Sequence, residues 1–261
     1  MKQIMKLLTL VSLLTVPLFF AGCKTAPPLE GYQSLSDQVI FERAQSSMGK
    51  HQYDQASKDL EALDTLYPFG DYSQKGQLLI INAYYKNEET DLAYAAADRY
   101  IRLYPRSTDV DYAYYMKGVI NAGATESWYQ KWAKATPAQR DLSTKKQALD
   151  DFKTLVTQFP NSQYVPPAKQ QIAQILNVLV QHELDIADYY FRRATYIAAA
   201  NRASSIVSDY PEATQMPAAL AMMVKSYRAL NQPSMANTAL SRLLSQYPAS
   251  SEAKQLGALK N

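Results

Sequence analysis

A single cysteine, Cys23, among 261 residues excludes an internal disulfide and any cage built from several thiolates. The two histidines, His51 and His182, have no second ligand at metal spacing, and Glu183 beside His182 faces another side of a helix. The eight glycines form neither a phosphate-cradling loop nor a nucleophile elbow. Valine and isoleucine never alternate with polar residues as a half-buried strand requires, which argues against a sheet. The acidic pairs Glu88-Glu89 and Asp150-Asp151 diverge by about a hundred degrees on a helix, so they read as solvated faces rather than as an acid and a base. Charge of one sign is lacking too: 27 basic residues stand interspersed with 24 acidic ones, so no nucleic-acid partner is expected. Catalysis, metal and cofactor are therefore not expected. What is abundant is alanine and, at 20 residues, tyrosine, in a chain long enough to bury a sizeable core. Helix is the default element.

Lys2 and Lys6 precede an apolar stretch over residues 7–20, too short to span a membrane but suited to a secretory signal. It ends at Phe20-Ala21-Gly22-Cys23, which resembles the lipobox of bacterial lipoproteins, with Phe20 where that pattern has leucine. The resemblance implies a cut after residue 22 and an S-diacylglycerol and an N-acyl group on Cys23. Lys24 is not the aspartate of inner-membrane retention, so the anchored protein is expected at the outer membrane, facing the periplasm. Residues 1–22 read as signal peptide and 23–36 as lipidated N-terminus and extended tether, with Pro27, Pro28 and Gly31.

Five aromatic-proline pairs punctuate the rest: Tyr67-Pro68, Tyr104-Pro105, Phe159-Pro160, Tyr210-Pro211 and Tyr247-Pro248. Twelve residues before each proline stands an alanine: Ala56, Ala93, Ala148, Ala199 and Ala236. Apolar residues follow four and seven positions later, so one face of a helix carries a small residue, two knobs and an aromatic before the break. The alanine lets a preceding helix approach closely, and proline ends the run. Tyr84 and Tyr227 lie nine residues before their alanines, on first helices over residues 76–86 and 216–230.

This pattern resembles the tetratricopeptide repeat and implies an all-α, right-handed superhelical solenoid of about five hairpins. The outer proline spacings are 37 residues and the middle two are 55 and 51, so units three and four carry extra chain. In unit three it falls at residues 125–144, with Trp128, Trp132 and Pro137, and in unit four the helix after Pro167 runs on through Ile175, Leu179 and Ile186. Ser107, Ser162 and Thr214 are placed to cap helix starts. The units divide as residues 37–105, units one and two; 106–160, unit three with its insertion; and 161–261, units four and five.

Beyond the repeat, unusual local strings mark a narrower resemblance. They include Tyr67-Pro68-Phe69-Gly70 with Tyr72-Ser73, Ala83-Tyr84-Tyr85-Lys86 and Asp98-Arg99-Tyr100-Ile101-Arg102. Others are Asp111-Tyr112 with Tyr115-Met116 and Gly118, Asn161-Ser162-Gln163-Tyr164, and Tyr189-Tyr190 with Arg193, Tyr196, Asn201 and Arg202. Together they resemble the BamD family, lipoproteins of the outer-membrane β-barrel assembly machinery, over nearly all of the mature length. In the unit-three insertion only Arg140-Asp141 looks like the family.

The resemblance implies a non-enzymatic subunit with two binding surfaces, working beside other Bam lipoproteins. Residues 37–105 would receive unfolded outer-membrane β-barrel proteins on a wall of Tyr67, Phe69, Tyr72, Tyr84 and Tyr85, with Arg99 and Arg102 available for a terminal carboxylate. Residues 161–261 would dock the periplasmic domain of BamA through Tyr189, Arg193 and Arg202, the last lying off the packing stripe. The alternative is another periplasmic tetratricopeptide lipoprotein that serves cell-wall enzymes as a scaffold.

Overall fold

The computed structural model describes residues 29–123 and 142–258, which hold eleven helices and no strand. Cys23 and the insertion residues Trp128, Trp132, Pro137, Arg140 and Asp141 lie outside the described residues. Five hairpins follow in order: α1 (Asp37–Gly49) with α2 (Tyr53–Leu66), α3 (Ser73–Lys86) with α4 (Thr90–Leu103), α5 (Val110–Gly123) with α6 (Ser143–Gln158), α7 (Val165–Arg192) with α8 (Tyr196–Asp209), and α9 (Met216–Ala229) with α10 (Pro233–Gln246). A last helix, α11 (Ser251–Ala258), covers the end of the stack against α9 and α10.

The five alanines sit where the stripe puts them: Ala56, Ala93, Ala148, Ala199 and Ala236 are all buried, as are Leu63, Tyr100, Leu155, Ile206 and Leu243 seven positions on. Each second helix then ends the same way. The aromatic is the C-cap with an extended-side φ near −130°, and its N–H donates to the carbonyl four residues back. Proline follows as the second residue of a turn closed by a bond to the aromatic's carbonyl, from Gly70, Ser107, Ser162, Ala213 and Ser250.

Within four hairpins the turn needs a left-handed residue, and none is glycine: His51, Glu88, Ala194 and Asn231 have φ of 59°, 62°, 58° and 55°. Bonds from Gln52, Glu89, Thr195 and Gln232 back to the carbonyls five residues earlier close the motif. Close helix approach is also bought on the first-helix side by glycine: a Cβ at Gly118 would stand 2.6 Å from two ring atoms of Phe152.

Sequential helices pack against one another throughout, and first helices also touch the next first helix, α1 to α3, α3 to α5, α5 to α7 and α7 to α9. No two second helices approach that closely among the described residues, although side chains reach across, as from Arg99 of α4 to Asp64 of α2. One face of the solenoid is thus a continuous row of first helices, and the other is a row of second helices separated by grooves.

Three expectations change. Ser107 and Ser162, three residues before α5 and α7 begin, do not cap helices; they accept from the N–H groups of Asp109 and Tyr164 in the turns. Thr214 bonds the side chains of Asn177 and Gln215 instead. Side-chain caps come from Ser36, to Val39 N–H at 3.3 Å, and from Ser250 ahead of α11, to Ala253 N–H at 3.1 Å. The tether does not extend to Ser36: from Leu29 the chain is docked, with Tyr32 buried in the first core cluster and its hydroxyl donating to Asp59 at 2.7 Å. Asp151 is no solvated acid but buried, accepting from Asn121 at 2.7 Å and close to Lys117, which also reaches Asp98 at 3.2 Å. Burial pushes its carboxyl up, against the pull of Asn121 and Lys117. Its neighbour Asp150 remains exposed.

Two substitutions test the backbone reasoning in opposite directions. Gly118→Ala is expected to cost about 1–3 kcal/mol because the Phe152 ring has to move. Ala194→Gly is expected to gain about 0.5–1 kcal/mol by relieving a left-handed alanine, less the entropy of the added glycine. Urea midpoints at constant m-value read both.

Candidate functional site

The row of first helices carries a groove of about 580 Å³ that runs along three hairpins to the start of a fourth. Its walls are Phe41, Glu42 and Gln45 of α1, Tyr72 with Lys75, Leu78, Leu79 and Asn82 of α3, Asp109 with Tyr112 of α5, and Tyr164 ahead of α7. Tyr72, Asp109 and Tyr164 share one register, five residues after the helix-ending aromatics Tyr67, Tyr104 and Phe159. The repeat therefore delivers them to one rim. The rings are held by each other: Phe41 and Tyr72 have centroids 5.2 Å apart, Tyr112 and Tyr164 5.5 Å, and Tyr115 stacks on Tyr164 at 5.0 Å. Lys75 Nζ lies 5.3 Å from the Tyr72 centroid and makes no ion pair among the described residues. Burial, then the neighbouring Tyr164 and Tyr115, pushes the Tyr112 phenol up to about 12, so it stays a neutral donor at ordinary pH.

The wall drawn from sequence is not one surface. Tyr72 lines this groove, but Tyr67, Phe69, Tyr84, Tyr85, Arg99 and Arg102 do not. Tyr67 packs on the first core cluster and its hydroxyl donates to the Leu35 carbonyl at 2.6 Å, pinning the docked N-terminal segment. Tyr84 is buried and donates to Glu61 at 2.7 Å, and burial with that acid holds its phenol well above the usual range. The Tyr85 hydroxyl lies beside Gly123 at the end of α5. Phe69 projects from the inter-hairpin turn at 99% exposure.

Neither arginine is unengaged. Arg99 grips Asp64 with both terminal nitrogens, at 2.7 and 3.2 Å, and Arg102 pairs with Asp98 one turn earlier. A carboxylate ligand has to compete with those acids. Tyr72 is the one groove residue that the sequence assigned to binding; Phe41, Lys75, Tyr112 and Tyr164 are among those it did not. The register of Tyr72 was the available signal for Tyr164, whereas Lys75 and Phe41 carry none.

In the fourth hairpin Tyr189 and Arg193 come together at the end of α7, with the guanidinium 4.6 Å from the Tyr189 centroid. Tyr189 is 43% exposed and Ile197, just across the turn, 63%. Arg202 is apart from them. It pairs with Glu183 at 3.1 Å, six residues before Tyr189 and hence about 120° around α7 from it. Although off the packing stripe, it is thus already engaged in an ion pair. His182 lies in a small cavity of about 250 Å³ with Lys146, Glu183 and Tyr210, and its buried Nε2 pairs with nothing. His51 Nδ1 meets the Tyr53 hydroxyl at 2.7 Å in the first turn. Among the described residues no cluster of His, Cys, Asp and Glu could hold a metal, and no helix is long and apolar enough to cross a membrane.

A helical-repeat scaffold with a peptide-sized groove on one face and no catalytic cluster is the class that fold and site define. The sequence model of a family described as "YfiO: Outer membrane lipoprotein" matches residues 33–243. The chain is 33% identical over 223 residues to "Outer membrane protein assembly factor BamD" of Neisseria meningitidis serogroup B, covering 85% of this chain and 84% of that one. Against the protein of that name in Vibrio cholerae it is 33% identical over 226 residues, covering 87% and 92%. It belongs to this family of outer-membrane assembly lipoproteins. Among solved structures, the P58(IPK) TPR domain aligns over 83% of this chain and 53% of its own, at 14% identity and a TM-score of 0.42.

Tyr67→Phe is expected to cost about 0.5–1.5 kcal/mol in a urea titration, the net contribution of one hydrogen bond. Tyr84 and Tyr112 ionise above the ordinary phenol value of 10.0 because the folded chain disfavours their charged forms. Their contribution is whole below that value and is lost as pH rises toward 12 for Tyr112, so stability should fall over that window. Alkaline unfolding followed by phenolate absorbance checks the direction.

Proposed function

We propose that the chain is a non-enzymatic, lipid-anchored subunit of the outer-membrane β-barrel assembly machinery, which holds unfolded barrel proteins on its first-helix groove and docks BamA through its later hairpins. The observation that carries the reading is the aromatic groove shared by the first three hairpins, in a chain of the assembly-factor family. Stacked tyrosines offer rigid contact area to an extended or aromatic-ended peptide at little entropic cost. Lys75, held over Tyr72, is better placed for a terminal carboxylate than Arg99 or Arg102, which Asp64 and Asp98 occupy.

The substrate half, residues 37–105, then extends through Tyr112 to Tyr164, because the groove does. Exposed Phe69 supplies a further aromatic contact outside it. For the docking half, residues 161–261, the exposed pair Tyr189 and Arg193 is the anchor and Arg202 a second point, exchanging Glu183 for an acid of BamA. Acyl groups on Cys23 hold the protein at the periplasmic face of the outer membrane, beside the other Bam lipoproteins, since each buried methylene contributes about 0.8 kcal/mol. Family membership favours this over a scaffold for cell-wall enzymes.

Pulldown of the acylated chain from detergent-solubilised envelope tests both surfaces. Arg202→Glu should lose BamA, and His182→Ala should retain it. Lys75→Glu should weaken capture of a barrel-derived C-terminal peptide by about tenfold or more while sparing BamA. Failure of the unaltered chain to hold either BamA or the peptide would favour the cell-wall scaffold.

A further inference from the structure

Repeat register singles out a second groove, on the opposite face. The residue three positions after each hairpin's alanine points back to its own first helix in three units and is charged there: Asp59, Asp151 and Arg202. Asp59 meets Arg43, Asp151 meets Asn121, and Arg202 meets Glu183. In the second hairpin that position is Ala96, and in the fifth it is Ala239, which is buried.

A groove of about 360 Å³ opens where the missing side chain would lie, between α2 and α4 over α3. Leu60, Ile80, Leu92 and Ala96 give it an apolar lining. Gln77 stands at the register that Glu183 holds in the fourth hairpin, sixteen residues before the alanine. It is only 8% exposed, its Nε2 donates to Asp64 at 2.9 Å, and its Oε1 has no partner among the described residues. Turning the amide over is no remedy, because it would set Oε1 against the Asp64 carboxylate.

In the fourth hairpin the acceptor at this register is met by a guanidinium on an apolar stem, Arg202. The second hairpin has the acceptor, the apolar lining and no cation of its own at that position. Glu61 and Asp64 line the groove with Arg99, and Glu89 adds to the negative field at Tyr84, so the surroundings favour a positive head group. We infer that this groove receives an arginine or lysine side chain from a partner polypeptide, its stem on Leu92 and Ala96 and its head donating to Gln77 and Glu61. The site faces away from the aromatic groove and does not depend on what that groove holds.

The probe is a blocked Leu-Ala-Arg-Ala-Leu peptide, titrated into the ¹⁵N-labelled full chain in detergent, with the glutamate analogue as comparison. Saturable shifts are expected at the Gln77 side-chain amide and the Leu92 and Ala96 backbone amides, with the glutamate peptide at least about tenfold weaker. Ala96→Arg, which supplies the counterpart of Arg202 internally, should abolish them. Should that variant not fold, Gln77→Leu should weaken binding by about tenfold, as loss of a charge-assisted bond requires. Shifts that are absent, equal for both peptides, or unchanged in a folded Ala96→Arg or Gln77→Leu protein overturn the inference.

Discussion

How near two helices can lie is set by what stands between them, and in each hairpin that is a single methyl group. Ala56, Ala93, Ala148, Ala199 and Ala236 are all buried at the crossing of second helix on first. A larger side chain there would push the pair apart, and with it the aromatic that ends each second helix and starts the turn to the next hairpin. Gly118 against Phe152 repeats the constraint from the first-helix side, and Gly76 against Leu63 sets it between the first hairpin and the second. The stacking of first helix on first helix follows, and so does the difference between the two faces.

That difference organises the surface chemistry. Along the first-helix face consecutive hairpins touch, so one groove can run along three of them to the start of a fourth and collect Tyr72, Asp109 and Tyr164 from one register. Along the other face second helices stand apart, and the space between them is bridged by charge: Asp64 with Arg99, and Lys117 between Asp98 and Asp151. Arg99, which looks available in the sequence, is engaged in such a bridge, while Arg102 is paired within its own helix and Arg202 with its own first helix. A partner that engages Arg202 exchanges one acid for another, which favours specificity and encounter rate over raw affinity.

Much of this was legible before any coordinates. The alanine-to-proline offsets located every second helix, since a helix with apolar residues at 0, 4, 7 and 11 has only one way to bury them. The sequence placed a long helix after Pro167, and α7 in fact takes Pro166 and Pro167 into its first turn, where proline is tolerated. Less legible were the helix starts: Ser107 and Ser162 satisfy turn amides rather than helix amides, and both uses leave the same serine near the same proline. Asp151 and Asp150 are adjacent acids with opposite fates, separated by which of them meets Asn121 on another helix.

By itself the sequence determined the number of hairpins, the stripe each buries and the points where each ends, because these follow from local periodicity and from proline's fixed geometry. Only the tertiary structure decided which tyrosines are wall and which are packing. Tyr67 and Tyr72 are five residues apart in one string, yet one hydroxyl is tied to the Leu35 carbonyl and the other ring lines the groove with Phe41. The same holds for Arg99, Arg102 and Arg202, whose partners lie on neighbouring turns or helices. A side chain's availability depends on what the packing brings beside it, and that is a property of the assembled stack rather than of any segment within it.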